Sequence, residues 1–190
     1  MGRLLPIETS RLILRNWEFS DVPSAYEYAR DPVVVRYMPW GPNTLEQTRD
    51  FIRKVRRCRQ IKPRRAFELA VLLKSDNRVI GGCGLRIKNP ILREGDLGYA
   101  FNQLYWGQGY ATEATRALIQ FGFTKLKLHR LWATCDQKNR ASARVLEKAG
   151  LRYEGLMREN MMLKKRWRDT RLYALLDKDF KKINKSHASK

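Results

Sequence analysis

The stretch Trp106-Gly107-Gln108-Gly109-Tyr110-Ala111-Thr112 has the residue types and spacing that most directly suggest chemistry. A short apolar run, Asp96 to Phe101, precedes it. Ala111, Ala114, Leu118 and Phe121 recur at helical spacing after it. A turn with two glycines lets successive backbone N–H groups converge on one point without a Cβ atom in the way. The N-terminus of the following helix adds partial positive charge at that point. A strand, a glycine turn and a helix in this order make a site for a phosphate or pyrophosphate. Thr112 would add a hydroxyl donor from the first turn.

Gly107-x-Gly109-x-Ala111 has some likeness to a dinucleotide-binding fingerprint. The turn, however, follows an antiparallel hairpin in mid-chain rather than opening a first parallel unit. About 20 residues on, where an acid for a ribose would stand, the chain reads Lys125-Leu126-Lys127-Leu128-His129. A purely structural glycine turn also stays open on this motif alone. The second constellation is Asn139, followed three residues on by Ser142 and closed by Gly150. Asn139 suits a helix N-cap, and Gly150 stands where a helix C-cap prefers glycine.

The elements around these motifs follow from periodicity and punctuation. Arg11 to Arg15 alternates polar and apolar and predicts a half-buried strand. Ser20, Asp21 and Pro23 predict the start of a helix that ends before Pro32. Thr44 and Gln47 form a capping box, opening a helix with Leu45, Thr48, Phe51, Ile52 and Val55 on one face. Residues 66–73 and 79–87 predict a hairpin around Ser75–Arg78, and 96–101 a third strand. After the helix at 112–125 come a strand at 131–135 and a helix at 139–148. Residues 151–163 and 168–176 read as a hairpin around Lys164 to Trp167. This order predicts a mixed α/β sheet with helices packed on it.

Composition narrows the class. The chain has 190 residues, enough for one domain, expected over 1–180. The 43% hydrophobic fraction and 11% aromatics argue for a packed core. No apolar run approaches the roughly 20 residues of a membrane span, and Met1 to Thr9 lacks a signal-peptide core. A soluble, cytoplasmic protein without membrane contact is expected. Cys58, Cys83 and Cys135 are far apart, and His129 and His187 are the two histidines, so no metal site is expected. Cys83 and Cys135 lie in apolar, strand-like runs and read as core. The last ten residues, 181–190, are polar and basic and read as a frayed, disordered tail. The formal net charge of +20 favours an anionic partner. Nine basic residues fall between Arg49 and Arg65. They read either as a solvated helix face or as a nucleic-acid or ribosome-facing surface.

Asn139 to Gly155 reads NRASARVLEKAGLRYEG, after Trp-Gly-x-Gly-Tyr-Ala-Thr-Glu-Ala. These motifs resemble the GNAT superfamily of N-acetyltransferases, and more closely its RimJ/RimL-type branch. That branch acetylates N-termini of ribosomal proteins and a range of other amines. The head, Glu8-Thr9-x-Arg11-Leu12-x-Leu14-Arg15, is similar to the branch's first strand. Met38-Pro39-Trp40-Gly41-Pro42 is similar to its helix-linking loop, and Trp167-Arg168-Asp169 and Tyr173-Ala174-Leu175-Leu176 to its tail. The resemblance spans residues 8 to 180.

The resemblance implies a GNAT fold with about six to seven strands and four helices. It also implies an enzyme that moves acetyl from acetyl-CoA to an amine by direct attack in a ternary complex. The pantetheine arm would pair with Tyr99, Ala100 and Phe101. The pyrophosphate would sit on Gly107, Gln108, Gly109, Tyr110, Ala111 and Thr112. Asn139 would hydrogen-bond the arm, cap the helix, or do both. Ser142 would serve the departing thiol, or be an ordinary polar helix residue. Asp96 would take the amine's proton through a water, or be a strand-edge charge. The oxyanion would find strand N–H groups near Ala100 and Phe101. Glu159 is another carboxylate nearby, though Met161 holds the closest family position. Trp40 and Tyr37, with Tyr99, would line the acceptor pocket.

Some positions depart from the family. Trp106 stands where the consensus has Arg or Gln. Thr134 and Leu146 replace a proton-transferring Glu and Tyr pair used by some alanine N-acetyltransferases. The implied acceptor is a protein N-terminal amine of the ribosomal type. Polyamines, amino acids and aminoglycosides are the small-amine alternative, and a non-catalytic nucleic-acid-binding module on the same fold is another. Edge-to-edge homodimers are compatible with the long C-terminal hairpin.

Overall fold

The apolar run at 66–73 becomes β3 (Ala66–Leu73), and its burial on both sides explains why it reads as nearly continuous hydrophobic sequence. Phe67, Leu69 and Val71 point into one core, Ala70 and Leu72 into another. The structure, a computed structural model, describes residues 4–188. Expectations for Met1–Arg3 and for Ser189 and Lys190 lie outside the described residues.

Eight strands form one sheet in the order β1-β2-β3-β4-β5-β6-β8-β7. They are β1 (Ile7–Glu8), β2 (Leu12–Asn16), β3, β4 (Val79–Asn89), β5 (Glu94–Phe101), β6 (Arg130–Asp136), β7 (Arg152–Leu163) and β8 (Arg166–Leu176). All neighbouring pairs are antiparallel except β5 and β6. α1 (Val22–Ala29) and α2 (Leu45–Cys58) follow β2; α3 (Tyr110–Thr124) joins β5 to β6; α4 (Arg140–Lys148) follows β6; α5 (Asp177–Ala188) ends the described chain. Among the described residues there are eight strands and five helices, close to the expected six to seven and four. The extra strand is the two-residue β1, too short to show a period.

The sheet separates two cores. Leu12, Leu14, Leu85, Leu97 and Phe101 meet Ala114, Leu118 and Phe121 of α3 and Leu146 of α4 on one face. Trp17, Tyr28, Ile52, Ala70 and Leu72 pack with α1 and α2 on the other. The capping box at Thr44 forms as the sequence predicts, with Thr44 Oγ1 accepting from the Gln47 N–H. At the start of α1, the expected Ser20 cap gives way to Asp21. Its carboxylate accepts from the Glu18 N–H at 2.8 Å and is held by Arg15 at 2.7 Å, while Ser20 lies in a short 3-10 turn.

Two further expectations need correction. The last hairpin turns at Lys164–Lys165, both at positive φ, so Arg166 and Trp167 belong to β8. The basic tail at 181–190 is helical through Ala188. Phe180 packs on Phe123 with ring centroids 5.0 Å apart, anchoring the start of α5. High charge density concealed that anchor from a reading of composition.

Candidate functional site

The glycines set the geometry of the turn before α3. Gly107 and Gly109 have φ of +76° and +83°, a region L side chains rarely adopt. Gly109 is the N-cap of α3. A Cβ on Gly107 would meet nothing within 4 Å, so the space over the turn is open. The first-turn N–H groups of a helix have no intrahelical acceptor, and those of Tyr110, Ala111 and Thr112 lie at this end. The turn is braced from the head of the chain. Arg11 donates to the Gln108 carbonyl at 3.0 Å and lies over the Tyr110 ring at 4.4 Å. Glu113 Oε1 accepts from the Thr9 hydroxyl, the Ser10 hydroxyl and the Arg11 N–H at 2.6, 3.1 and 2.9 Å; Oε2 accepts from Arg11 Nε at 2.7 Å. Burial works to raise the Glu113 carboxyl, but these hydrogen bonds outweigh it and hold it below the usual carboxylate range. Trp106, the departure from consensus, donates its indole N–H to the Phe101 carbonyl at 2.8 Å. It closes the end of β5 and so does structural work there.

β5 and β6 stay paired only between Glu94–Asp96 and Arg130–Trp132. Beyond that point β6 continues on β8 and β5 continues on β4 through Phe101. The strands part, and the edge of Leu97–Phe101 that faces β6 is left with no strand partner. Such a row of N–H and C=O groups is a template for an extended ligand. The opening ends at the glycine turn.

The two sides of the sheet at this opening differ. Tyr99 faces the α3 core, with its hydroxyl 2.9 Å from Ser142 Oγ and 3.2 Å from the Ser142 carbonyl. Burial raises the Tyr99 phenol, which keeps it protonated as a donor. Burial likewise pushes the neighbouring Cys135 thiol up to about 11, so it is neutral near pH 7. Asn139 caps α4 by accepting from the Ser142 N–H at 3.0 Å.

Asp96 lies on the opposite side, the one that carries Ala100 toward α1 and α2. Both its oxygens accept from Arg86, each at 2.9 Å, with Lys88 at 3.8 Å. Arg86 also donates to Glu68 at 3.3 Å. Burial raises the Glu68 carboxyl, Arg86 opposes that, and Asp96 adds to it. Gly84 makes room for this cluster, since a Cβ there would overlap the Glu68 carboxylate. Sequence reasoning passed over Glu68 as part of an apolar run; a charged residue inside a doubly buried strand was the available signal.

The structure thus brings Tyr99 to Ser142 and places Asp96 across the sheet from them. Trp40 and Tyr37 sit on the loop between α1 and α2, with Trp40 37% exposed and the Tyr37 ring under Arg36. No hydrogen bond or ring contact joins either of them to Asp96, Tyr99 or Ser142 among the described residues. Lys164, at the tip of the β7–β8 hairpin, donates to the Val35 carbonyl on that same loop at 3.3 Å. Glu159 is exposed at positive φ, and its N–H donates to Asp169 at 2.9 Å. Much of the basic run is internally paired: Arg49 and Arg53 with Glu46, Arg53 also with Asp50, Arg56 and Arg59 with Glu18. Among the described residues, no group of three or more His, Cys, Asp or Glu side chains is arranged to hold a metal, and no helix is long and apolar enough to cross a membrane.

Known proteins resemble this chain in sequence and fold. The family described as "Acetyltransferase (GNAT) domain" matches residues 11–152. "Uncharacterized N-acetyltransferase YnaD" of Bacillus subtilis (strain 168) is 34% identical over 174 residues, covering 92% of this chain and 98% of that protein. The crystal structure of a GNAT-family acetyltransferase from Bacillus anthracis superposes with a TM-score of 0.81 at 34% identity, covering 92% of this chain and 99% of the other. A shorter match, 31% identical over 84 residues, is to the "[Ribosomal protein uS5]-alanine N-acetyltransferase" of Escherichia coli (strain K12), covering 44% of this chain and 43% of that one.

Proposed function

The chain belongs to the GNAT acetyltransferase family, and from that premise we propose that its acceptor is the N-terminal α-amine of a protein, of the ribosomal type. Acetyl-CoA-dependent acyl transfer comes with family membership; the acceptor and the residue roles are our reading. The observation that carries it is the opening between β5 and β6, furnished differently on its two sides. The likeness to an alanine N-acetyltransferase of a ribosomal protein supports the acceptor class.

The residues fit the cofactor. Two left-handed glycines with open space above them and a helix N-terminus suit a pyrophosphate. The free edge at 97–101 suits an amide-bearing arm. Acetyl-CoA, when bound, supplies the activated acetyl thioester. Gly107 to Thr112 would bind its phosphates, and Tyr99, Ala100 and Phe101 would pair with the arm. Asn139 would add its side-chain amide while its oxygen caps α4. The Phe101 N–H, beside Ala100, would stabilise developing charge on the carbonyl oxygen, since alternate N–H groups of β5 turn away from β4. Tyr99 and Ser142 would hold a proton where sulfur needs one. On the other side, Asp96 with Glu68 would receive the amine's proton through a water, since Arg86 occupies both Asp96 oxygens. Trp40 and Tyr37 would form the outer acceptor wall. Residues 1–180 would act as one catalytic domain working in the cytoplasm, with the Arg49–Arg65 surface turned to the ribosome.

A competition assay tests the acceptor. Peptides with a free α-amine, the same peptides blocked at the α-amine but carrying lysine, a polyamine and an aminoglycoside are compared by thiol release. The free α-amine peptides are expected to have the highest kcat/KM. A polyamine or aminoglycoside preferred by about tenfold, which is about 1.4 kcal/mol, would overturn the reading.

A further inference from the structure

Asp136 ends β6 beside the opening and is 7% exposed. Its Oδ1 accepts from the Lys138 N–H at 2.8 Å. Its Oδ2 is buried and has no hydrogen-bond partner among the described residues. Arg168, on β8, brings Nε to 4.0 Å from that oxygen, and this N–H is buried and unpartnered as well. A buried polar atom left without a partner costs about 1–3 kcal/mol, more when charged. The two charges face each other at ion-pair distance yet neither atom has a hydrogen bond, so a ligand that offers both a donor and an acceptor would satisfy both.

The place is set by register. Asp96 pairs with Trp132 in the parallel ladder, so their side chains share a side of the sheet. Counting on from that pair, Gly98 stands opposite Thr134 and Ala100 opposite Asp136, now across the opening. Asp136 therefore faces the side of Asp96 and Ala100, away from Tyr99 and Ser142. The neighbouring polar groups are already satisfied: the Thr170 hydroxyl donates to Asn160 Oδ1 at 2.8 Å, and Asp169 Oδ1 accepts from the Glu159 N–H at 2.9 Å.

We propose that Asp136 and Arg168 form the acceptor-terminus subsite, Asp136 Oδ2 accepting from the acceptor's α-ammonium and Arg168 Nε donating to the carbonyl oxygen next to it. This rests on the N-terminal-amine reading and deepens it. An α-amine carries its own carbonyl acceptor close by; a polyamine nitrogen or a lysine side chain does not. Arg168 thereby selects the terminus of a peptide chain over a simple amine, because the simple amine leaves a buried guanidinium N–H unpaired.

The test compares two acceptors, a short peptide with a free α-amine and an aliphatic monoamine without a carbonyl, on wild type, Arg168→Met, Arg168→Lys and Asp136→Asn. Acetyl-CoA binding by calorimetry, expected unchanged in all variants, reports that each is folded. Arg168→Met should raise KM for the peptide about tenfold with kcat less affected, and leave KM for the monoamine unchanged. Arg168→Lys should fall between. Asp136→Asn should raise KM for both acceptors. If wild type uses the peptide and the Arg168 variants change both acceptors equally or neither, the subsite is overturned and the acceptor class stands. If wild type uses the monoamine and not the peptide, the acceptor class falls and the subsite with it.

Discussion

The side of the sheet that faces α3 and the side that faces α1 and α2 meet at the same opening, yet they are built differently. Toward α3 stand backbone groups and neutral donors: two left-handed glycines, a helix N-terminus, a free strand edge and the Tyr99–Ser142 hydrogen bond. Toward α1 and α2 stand charged side chains in ion pairs: Glu68, Arg86, Asp96, Asp136 and Arg168. A backbone site tolerates sequence change and recognises a ligand common to a whole family. A side-chain site can be rewritten position by position, which suits recognition of one acceptor among many amines.

The contrast can be broken most severely at the turn. Gly109→Glu forces an L residue to φ +83° and sets a carboxylate among the N–H groups. Acetyl-CoA affinity should fall more than about 100-fold, about 2.7 kcal/mol, in calorimetry; a thermal melt reports folding separately. Next come Tyr99→Phe and Ser142→Ala. Each should lower kcat by about tenfold to 100-fold, within the usual range for a positioned proton donor, while acetyl-CoA affinity stays near that of wild type.

Two carboxylates then sharpen the comparison through stability. Glu113 is held below its ordinary range, so it stabilises the fold above that range and loses the contribution as pH falls through its folded value. Glu113→Gln should cost about 1–3 kcal/mol at pH 7 in denaturant unfolding, and the gap to wild type should shrink toward pH 3. Glu68 has the opposite sign. Its raised carboxyl costs stability above the folded value, and the cost vanishes as pH falls. Glu68→Gln should therefore be neutral or stabilising at pH 8, by about 1 kcal/mol or less, with the difference gone at acid pH.

How much was legible in the sequence follows the same division. The glycine turn, the capped helices and most strand spans were readable because glycine conformation, capping and periodicity are local. Asn139 and Ser142 were singled out by the family resemblance; the partner that gives Ser142 its setting, Tyr99, stands 43 residues away. Glu113 and the head segment Thr9–Arg11 were both noticed as motif pieces, yet nothing local shows that one closes on the other across 104 residues. Asp136 lay just past the strand expected at 131–135 and drew no reading, and Glu68 passed as part of an apolar run. What makes either of them matter is burial and the pairing of β5 with β6 and of β6 with β8, which are set by strand topology rather than by neighbours in the chain.

The central claim is that the parted strands and the glycine turn together receive acetyl-CoA. Amide hydrogen exchange at saturating acetyl-CoA tests it most directly. The account predicts new protection confined mainly to residues 97–101 and 107–112, with smaller changes around Asn139. Saturable binding that protects other segments and leaves 97–101 exchanging as in the free protein would contradict it.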